Sequence, residues 1–417
     1  MKIQLITIGN ELLNGKIQDR NAYWLARFCH EHDLDLIKND IIPDNEYAFM
    51  KAFKGAWQDA DLVVTSGGLG PTKDDLTKGM LARFFDKNLV ESKQALEVTK
   101  KNYAKSKREY NPELQYSKIP EGFTAVYNKA GYAPGLFYQE NRKMAAALPG
   151  VPVEFKTMFM EEILKKLKES FPKSSHIKKH VIVKTWRAPE AKIFNSLCPG
   201  LWEDLERFGE VSSLPNPLGV DIGVSITASD QPELEMREQS VRDAVLNSAL
   251  KDFIWHIGKE SLEEVIVKKA LEKNMTLGFA ESCTGGLCAS RITDIPGSSR
   301  VFAGSVVAYS NRVKEKILNV NASTLEKYGA VSSETAWEMA QGARSVLEAD
   351  LVVTTTGVAG PGGGSAEKPV GTVGVGYSSQ RDCAGNLHHF PEMDREDLKR
   401  IFSQIALITL LEQVELY

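Results

Sequence analysis

At 417 residues the chain is roughly two to three times the usual domain length, which implies two or three cores rather than one. Its 42% hydrophobic and 25% charged residues are ordinary for globular proteins and exclude a mostly disordered, collagenous or low-complexity chain. With 51 Lys+Arg against 55 Asp+Glu the net charge is −4, so no overall field is available to hold nucleic acid or an anionic membrane.

The first run, KIQLITIG, reads as a strand and is too short and unflanked for a signal peptide. No stretch approaches the roughly 20 apolar residues of a membrane helix. Five cysteines without a C-x-x-C pair suggest neither a disulfide framework nor a thiolate zinc site, and a reducing cytoplasm fits. After the first strand come a helix from about Asp19, the strand DLIKNDII, a helix from Asn45, the strand DLVVTSGG and a helix beyond Asp74. That alternation predicts a parallel sheet covered on both faces. A polar helix over Glu91 to Arg108 carries Lys100, Lys101, Lys105, Lys107 and Arg108; a solvated face is the expected reading, a basic patch the alternative.

An amphipathic helix, VPVEFKTMFMEEILKKLKESF, ends at Pro172, which sets the first boundary. Residues 172–257 read as a small α+β block of about four strands and two helices without a catalytic constellation. From 258 to 417 the alternation restarts: a long helix, the strand TLGFA, the turn SCTGG, VFAGSVVAYS, a helix, DLVVTTTG, a glycine-rich loop, GTVGVGYSS and a final helix. The expected fold class is α/β, with two three-layer α/β domains (1–171 and 258–417) joined by a small α+β sandwich (172–257).

Three glycine-bearing loops follow strands, where ligands of open α/β sheets bind. In SGGLGPTKDD, Gly67, Gly68 and Gly70 offer amides suited to phosphate, and Asp74 and Asp75 offer hard oxygens for a divalent cation; alternatively one of the aspartates only caps the next helix. In ESCTGG, Ser282 and Thr284 sit at a strand-to-helix turn that departs from the G-x-S-x-G elbow, and either residue alone reads as a cap. Downstream stand Ser298 and Ser299 in a turn, Tyr309 at a strand end, Asn311 as a cap, and Lys314 in the first turns of a helix, where dipole considerations favour acids. A serine becomes nucleophilic only with a base, and no histidine is placed for that role. A Ser/Lys pair is therefore the internal candidate for hydrolysis, with Tyr309 as relay. TTTGVAGPGGG adds Thr356 and flexible amides but lacks the G-K-[ST] of a Walker loop, and Arg395 at the start of the last helix can reach an anion.

Together these residues resemble a known family. TIGNELLNGKIQDRN, SGGLGPTKDDLT and LPGVPVEF resemble the first domain of the competence/damage-inducible protein A (CinA) family. ESCTGG, GSS, AYSNRVK, TGVAGPGGGSAEKPVGTV and MDREDLKR resemble its C-terminal domain. The resemblance implies a molybdopterin-binding-like first domain with metal-dependent ADP-ribose pyrophosphatase activity, the metal held by Glu11, Asp74 and Asp75 beside Gly67, Gly68 and Gly70. It implies a C-terminal amidase that converts nicotinamide mononucleotide (NMN) and water to nicotinic acid mononucleotide and ammonia without a cofactor. The implied catalytic residues are Ser282, Ser299, Tyr309, Lys314 and Thr356, with Thr284, Gly285, Gly286, Asn311, Gly357 and Arg395 binding substrate. Lys314 would be the base, Ser299 or Ser282 the nucleophile or water-orienting group, Thr356 and loop amides the oxyanion site, and Arg395 with the Gly285 and Gly286 amides the phosphate seat. A cytoplasmic homodimer acting on small nucleotides is expected. Two alternatives stand beside it: a non-catalytic nucleotide sensor or adaptor, and a molybdopterin-binding protein.

Overall fold

The computed structural model describes residues 1–32, 34–72, 75–170, 176–216 and 218–417. They fall into two compact units, Met1–His180 with Thr227–Leu234, and Val181–Ile226 with Glu235–Tyr417.

The first unit is built on a six-stranded sheet in the order Asp35–Ile42, Lys2–Ile8, Leu62–Ser66, Lys143–Leu148, Gly135–Glu140, Thr124–Val126. The first four strands run parallel and the last two antiparallel. Polar residues start the covering helices. Asp19 caps Arg20–Glu31 by accepting from the amides of Asn21 and Ala22, and Asn45 caps Glu46–Asp59 through the amide of Ala48. Alternate strand residues then feed two cores. Ile3, Leu5 and Val64 pack with Leu25, Phe28, Phe155 and Phe159 on one face, while Ile6 and Val63 pack with Phe49, Phe53 and Leu81 on the other. The lysine-bearing helix spans Lys93–Ala104. Lys101 lies 4.1 Å from the Tyr127 ring centre, and Lys105, just past the helix, donates to the carbonyls of Asn128 and Gly131, while Lys100 and Lys107 are exposed.

The second unit carries a five-stranded sheet and most of a four-stranded one, residues 177–180 and 227–228 of the latter counting with the first unit. The four-stranded sheet is ordered Glu210–Asn216, Gly219–Ala228, Ile177–Thr185, Ile254–Ile257. The five-stranded sheet is ordered Phe302–Val307, Leu277–Glu281, Leu351–Gly357, Thr372–Ser379, Cys383–His389, with its first three strands parallel. Helices Leu262–Lys273 and Arg395–Leu416 cover one face around Phe279, Val353 and Val375. Helix Ser333–Leu347 covers the other, with Met339 and Ala343 against Ala280 and Val352. The middle block joins this core, since Trp186 is buried with Phe279, Val353 and Phe402. Among the described residues no helix is long and apolar enough to cross a membrane.

Candidate active site

The Leu277–Glu281 strand ends in a loop whose glycines, Gly285 and Gly286, adopt left-handed φ values of 64° and 97° before helix Leu287–Thr293 begins. Ser282 precedes this turn and is itself buried, 8% exposed. One strand further along the chain, helix Asn311–Leu318 directs Lys314 inward, and the lysine is 1% exposed. Its Nζ lies 3.0 Å from Ser282 Oγ and 2.8 Å from the Ala308 carbonyl, with the Tyr309 carbonyl at 3.4 Å. Burial pushes the Lys314 ammonium below its ordinary 10.5. The adjacent Cys283 offers little opposing charge, because burial pushes its thiol up to about 12 and keeps it neutral. A buried amine with a depressed pKa in hydrogen-bond contact with a serine hydroxyl is a nucleophile-and-base arrangement.

Glu281 sets the loop. The side chain is fully buried, and its Oε2 accepts from Thr284 Oγ1 at 2.7 Å and from the amides of Gly286 and Cys288 at 3.0 Å each. Its Oε1 accepts from the Ala289 amide at 3.0 Å and Ser305 Oγ at 3.2 Å. Thr284 also bonds Thr355 Oγ1 at 2.7 Å, which ties the loop to the neighbouring strand. The sequence reading passed over Glu281. The available signal was a carboxylate preceding a turn rich in amides and hydroxyls. On the rim, the Tyr309 ring is 62% exposed, and its phenol oxygen accepts from Arg395 at 3.1 Å, while Arg395 also donates to the Gly360 carbonyl at 2.6 Å. A separate cavity of about 840 Å3 in this unit, bordered by Asp221, Trp255 and Arg400, includes neither Ser282 nor Lys314.

In the first unit Gly67 and Gly68 have left-handed φ values of 108° and 68° at the end of the Leu62–Ser66 strand. The Gly67 amide is held by the Leu148 carbonyl at 3.0 Å, and a side chain at Gly70 would collide with the Asp75 carboxylate. Asp75 accepts from both the amide and the hydroxyl of Thr72, and Glu11 is exposed. Asp74 lies outside the described residues. Among the described residues no three His, Cys, Asp or Glu side chains group closely enough to hold a metal ion. Glu11 and Asp75 by themselves do not fit a cation site. The orphaned polar atoms lie elsewhere: Thr7 Oγ1, Asp19 Oδ2, Asn21 Oδ1 and Thr65 Oγ1 are buried without hydrogen-bond partners. Thr7 and Thr65 stand at the ends of adjacent strands, and Asn21 reaches Ser66 Oγ at 2.9 Å and the Gly150 carbonyl at 2.8 Å.

Residues 259–414 match the family described as CinA C-terminal domain, and residues 4–169 match the one described as probable molybdopterin binding domain. A protein described as competence-damage inducible from Clostridium beijerinckii is 36% identical over 381 residues, covering 91% of this chain and 92% of that protein. A CinA-like protein from Kosmotoga olearia is 36% identical over 379 residues, 90% of each chain. The chain belongs to the competence-damage inducible (CinA) family. Among solved structures, the competence/damage inducible protein CihA of Agrobacterium tumefaciens is 36% identical, covering 37% of this chain and 96% of its own, with a TM-score of 0.36.

In this CinA-family chain the expected site residues divide into two groups. Ser282 and Lys314 meet in the interior, Thr284 is held there by Glu281 and Thr355, and Tyr309 and Arg395 meet at the surface. Four expectations are corrected. The Gly285 amide donates to the Ser282 carbonyl and the Gly286 amide to Glu281, so neither faces a phosphate. Thr356 is 1% exposed and donates its hydroxyl proton to the Ala330 carbonyl at 2.6 Å, so as it stands it is not an oxyanion donor. Ser299 is exposed on the short turn Ser298–Arg300 and is not hydrogen-bonded to Lys314. Asn311 is the first helical residue, and the cap position belongs to Ser310. Gly357 ends its strand where a side chain would meet the Thr372 carbonyl at 2.7 Å, which gives that glycine a packing reason.

Proposed function

We propose that the C-terminal part of the chain is an amidase that hydrolyses NMN to nicotinic acid mononucleotide and ammonia. The observation that carries this reading is the buried 3.0 Å contact between Lys314 Nζ and Ser282 Oγ. A lysine serves as base when its pKa is depressed, and burial depresses this one. Neutral Lys314 takes the Ser282 proton as Oγ bonds to the carboxamide carbon. The ammonium so formed returns that proton to the departing nitrogen, the C–N bond breaks and ammonia leaves. Water then adds to the acyl carbon, losing a proton to Lys314 that passes back to Ser282 Oγ as the acid departs. Tyr309 and Arg395 border the entrance and meet the ribosyl phosphate end of the substrate.

For the first unit the proposal is hydrolysis of the pyrophosphate of ADP-ribose. Its support is the set of partnerless buried oxygens on Thr7, Asp19, Asn21 and Thr65, next to the glycine turn at the strand ends. The test of the main proposal is ammonia release from NMN by the intact chain and by Lys314→Ala. Release lost in a variant with an unchanged circular dichroism spectrum supports the amidase. NMN binding without release by the intact chain, at any pH, replaces the amidase with the sensor reading.

A further inference from the structure

The amidase reading requires a seat for the substrate's phosphate, and the amides expected to provide it are already occupied. Glu281 fills the position that an anion would take at the start of helix Leu287–Thr293, accepting from Gly286, Cys288 and Ala289. A phosphate brought there would meet a fixed buried carboxylate. The dianion must therefore be met by cations outside the loop.

Helix Arg395–Leu416 brings two of them. Arg395 is its first residue, and Lys399 follows one turn later, on the same face by the four-residue spacing. Lys399 lies beside the Ser282 loop and Arg395 beside Tyr309. Arg395 reaches Tyr309 and Gly360 as described, and a methyl group built on Gly285 would lie 3.9 Å from Lys399 Nζ. Gly285 has no side chain, so the space between its backbone and the ammonium stays open. Lys399 is half-buried, and among the described residues it makes no hydrogen bond or ion pair, whereas its neighbour Arg400 is held by Glu396 at 2.8 Å. An ammonium without a counter-charge beside the nucleophile's loop is placed to receive an anion.

We propose that Lys399, together with Arg395, seats the 5′-phosphate of the mononucleotide and makes the enzyme prefer nucleotide over nucleoside. This rests on the amidase reading but adds a residue that neither the motifs nor the comparisons assign. Arg395 offers a planar fork held by Tyr309 and Gly360, and Lys399 offers a point charge one turn further along the same helix face.

The experiment compares kcat/KM for NMN and for nicotinamide riboside, which lacks the phosphate, in the intact chain, Lys399→Met and Lys399→Arg. Lys399→Met keeps most of the apolar stem while removing the charge. The NMN-to-riboside ratio is expected to fall about 10- to 100-fold in Lys399→Met, mainly through KM, and to be largely retained in Lys399→Arg. An unchanged ratio in a folded Lys399→Met overturns the proposal and leaves the amidase intact. If the intact chain releases no ammonia from NMN, the amidase reading falls. Calorimetric binding of NMN and riboside then decides the phosphate seat: a preference for NMN that Lys399→Met abolishes sustains it, and equal affinities overturn it.

Discussion

Lys314 is legible from sequence as a lysine where a helix start disfavours one, but its burial is not, and burial is what converts a cation into a base. In the amidase reading only the neutral amine accepts the serine proton. Activity should therefore rise with pH through the folded Lys314 pKa and reach its plateau below 10.5. Lys314→Ala should lower kcat by about 10²- to 10⁴-fold, measured as ammonia release. The same shift has a stability consequence. Below the folded pKa the native state holds a buried charge, while between that pKa and 10.5 the unfolded chain binds the extra proton, so stability rises with pH in that window. Lys314→Met should be more stable than the parent at neutral pH in denaturant titrations, with the gap narrowing as pH climbs toward 10.5. A gap that widens with pH would mean that the lysine is favourably charged in place. Ser282 and Arg395 were readable as residue types at strand and helix ends. Glu281 and Lys399 were not, because a charged side chain next to a loop carries no mark of whether it turns in to satisfy amides or out toward a ligand.

At the scale of elements, boundaries signalled by local chemistry were readable: Asp19 and Asn45 precede their helices as caps, and Ser261 with Glu264 forms a capping box before Leu262–Lys273. The packing role of glycines within strands was not, since it depends on a partner distant in sequence. Side chains at Gly376 and Gly385 would strike the carbonyls of Ala336 at 2.3 Å and Ser333 at 2.0 Å, so these glycines let helix Ser333–Leu347 lie directly on the sheet. Gly376→Ala should push the helix away and destabilise the second unit by at least about 1–3 kcal/mol. Gly55, inside helix Glu46–Asp59, meets nothing within 4 Å, and Gly55→Ala should instead stabilise the first unit by about 0.5–1 kcal/mol. Thermal unfolding of the two variants should show opposite shifts. The turn after Leu277–Glu281 depends in the same way on one carboxylate. In Glu281→Gln the amide nitrogen replaces an oxygen that receives two or three hydrogen bonds, and each stranded buried donor costs about 1–3 kcal/mol. The variant should unfold at lower temperature and lose amidase activity, because Ser282 immediately follows the residue that anchors the turn. Full activity with normal stability would show that the loop holds itself.

On the scale of the whole molecule, the twofold return of strand and helix alternation made two α/β layers readable from the sequence, and the two large sheets realise them. The allegiance of the middle block was hidden, because nothing local to Trp186 says that it will be buried with Phe279 and Phe402. The two layers also present different donor sets, and that difference yields a prediction about metals. Around Ser282 the available groups are hydroxyls, a thiol held neutral and an amine, and the one carboxylate, Glu281, already accepts five hydrogen bonds. Hard divalent cations prefer carboxylate and carbonyl oxygens with lone pairs to spare. A chelator should therefore leave ammonia release from NMN unchanged. In the first unit one buried oxygen on each of Thr7, Asp19 (Oδ2), Asn21 and Thr65 has no partner, beside the glycine turn at the strand ends. In the pyrophosphatase reading, Asp19→Asn and Asn21→Ala should each reduce cleavage of ADP-ribose with ammonia release unaffected. Loss of ammonia release on chelation would mean that a cation supports the serine–lysine pair, and the donor-set argument would fail at the site where it is strongest.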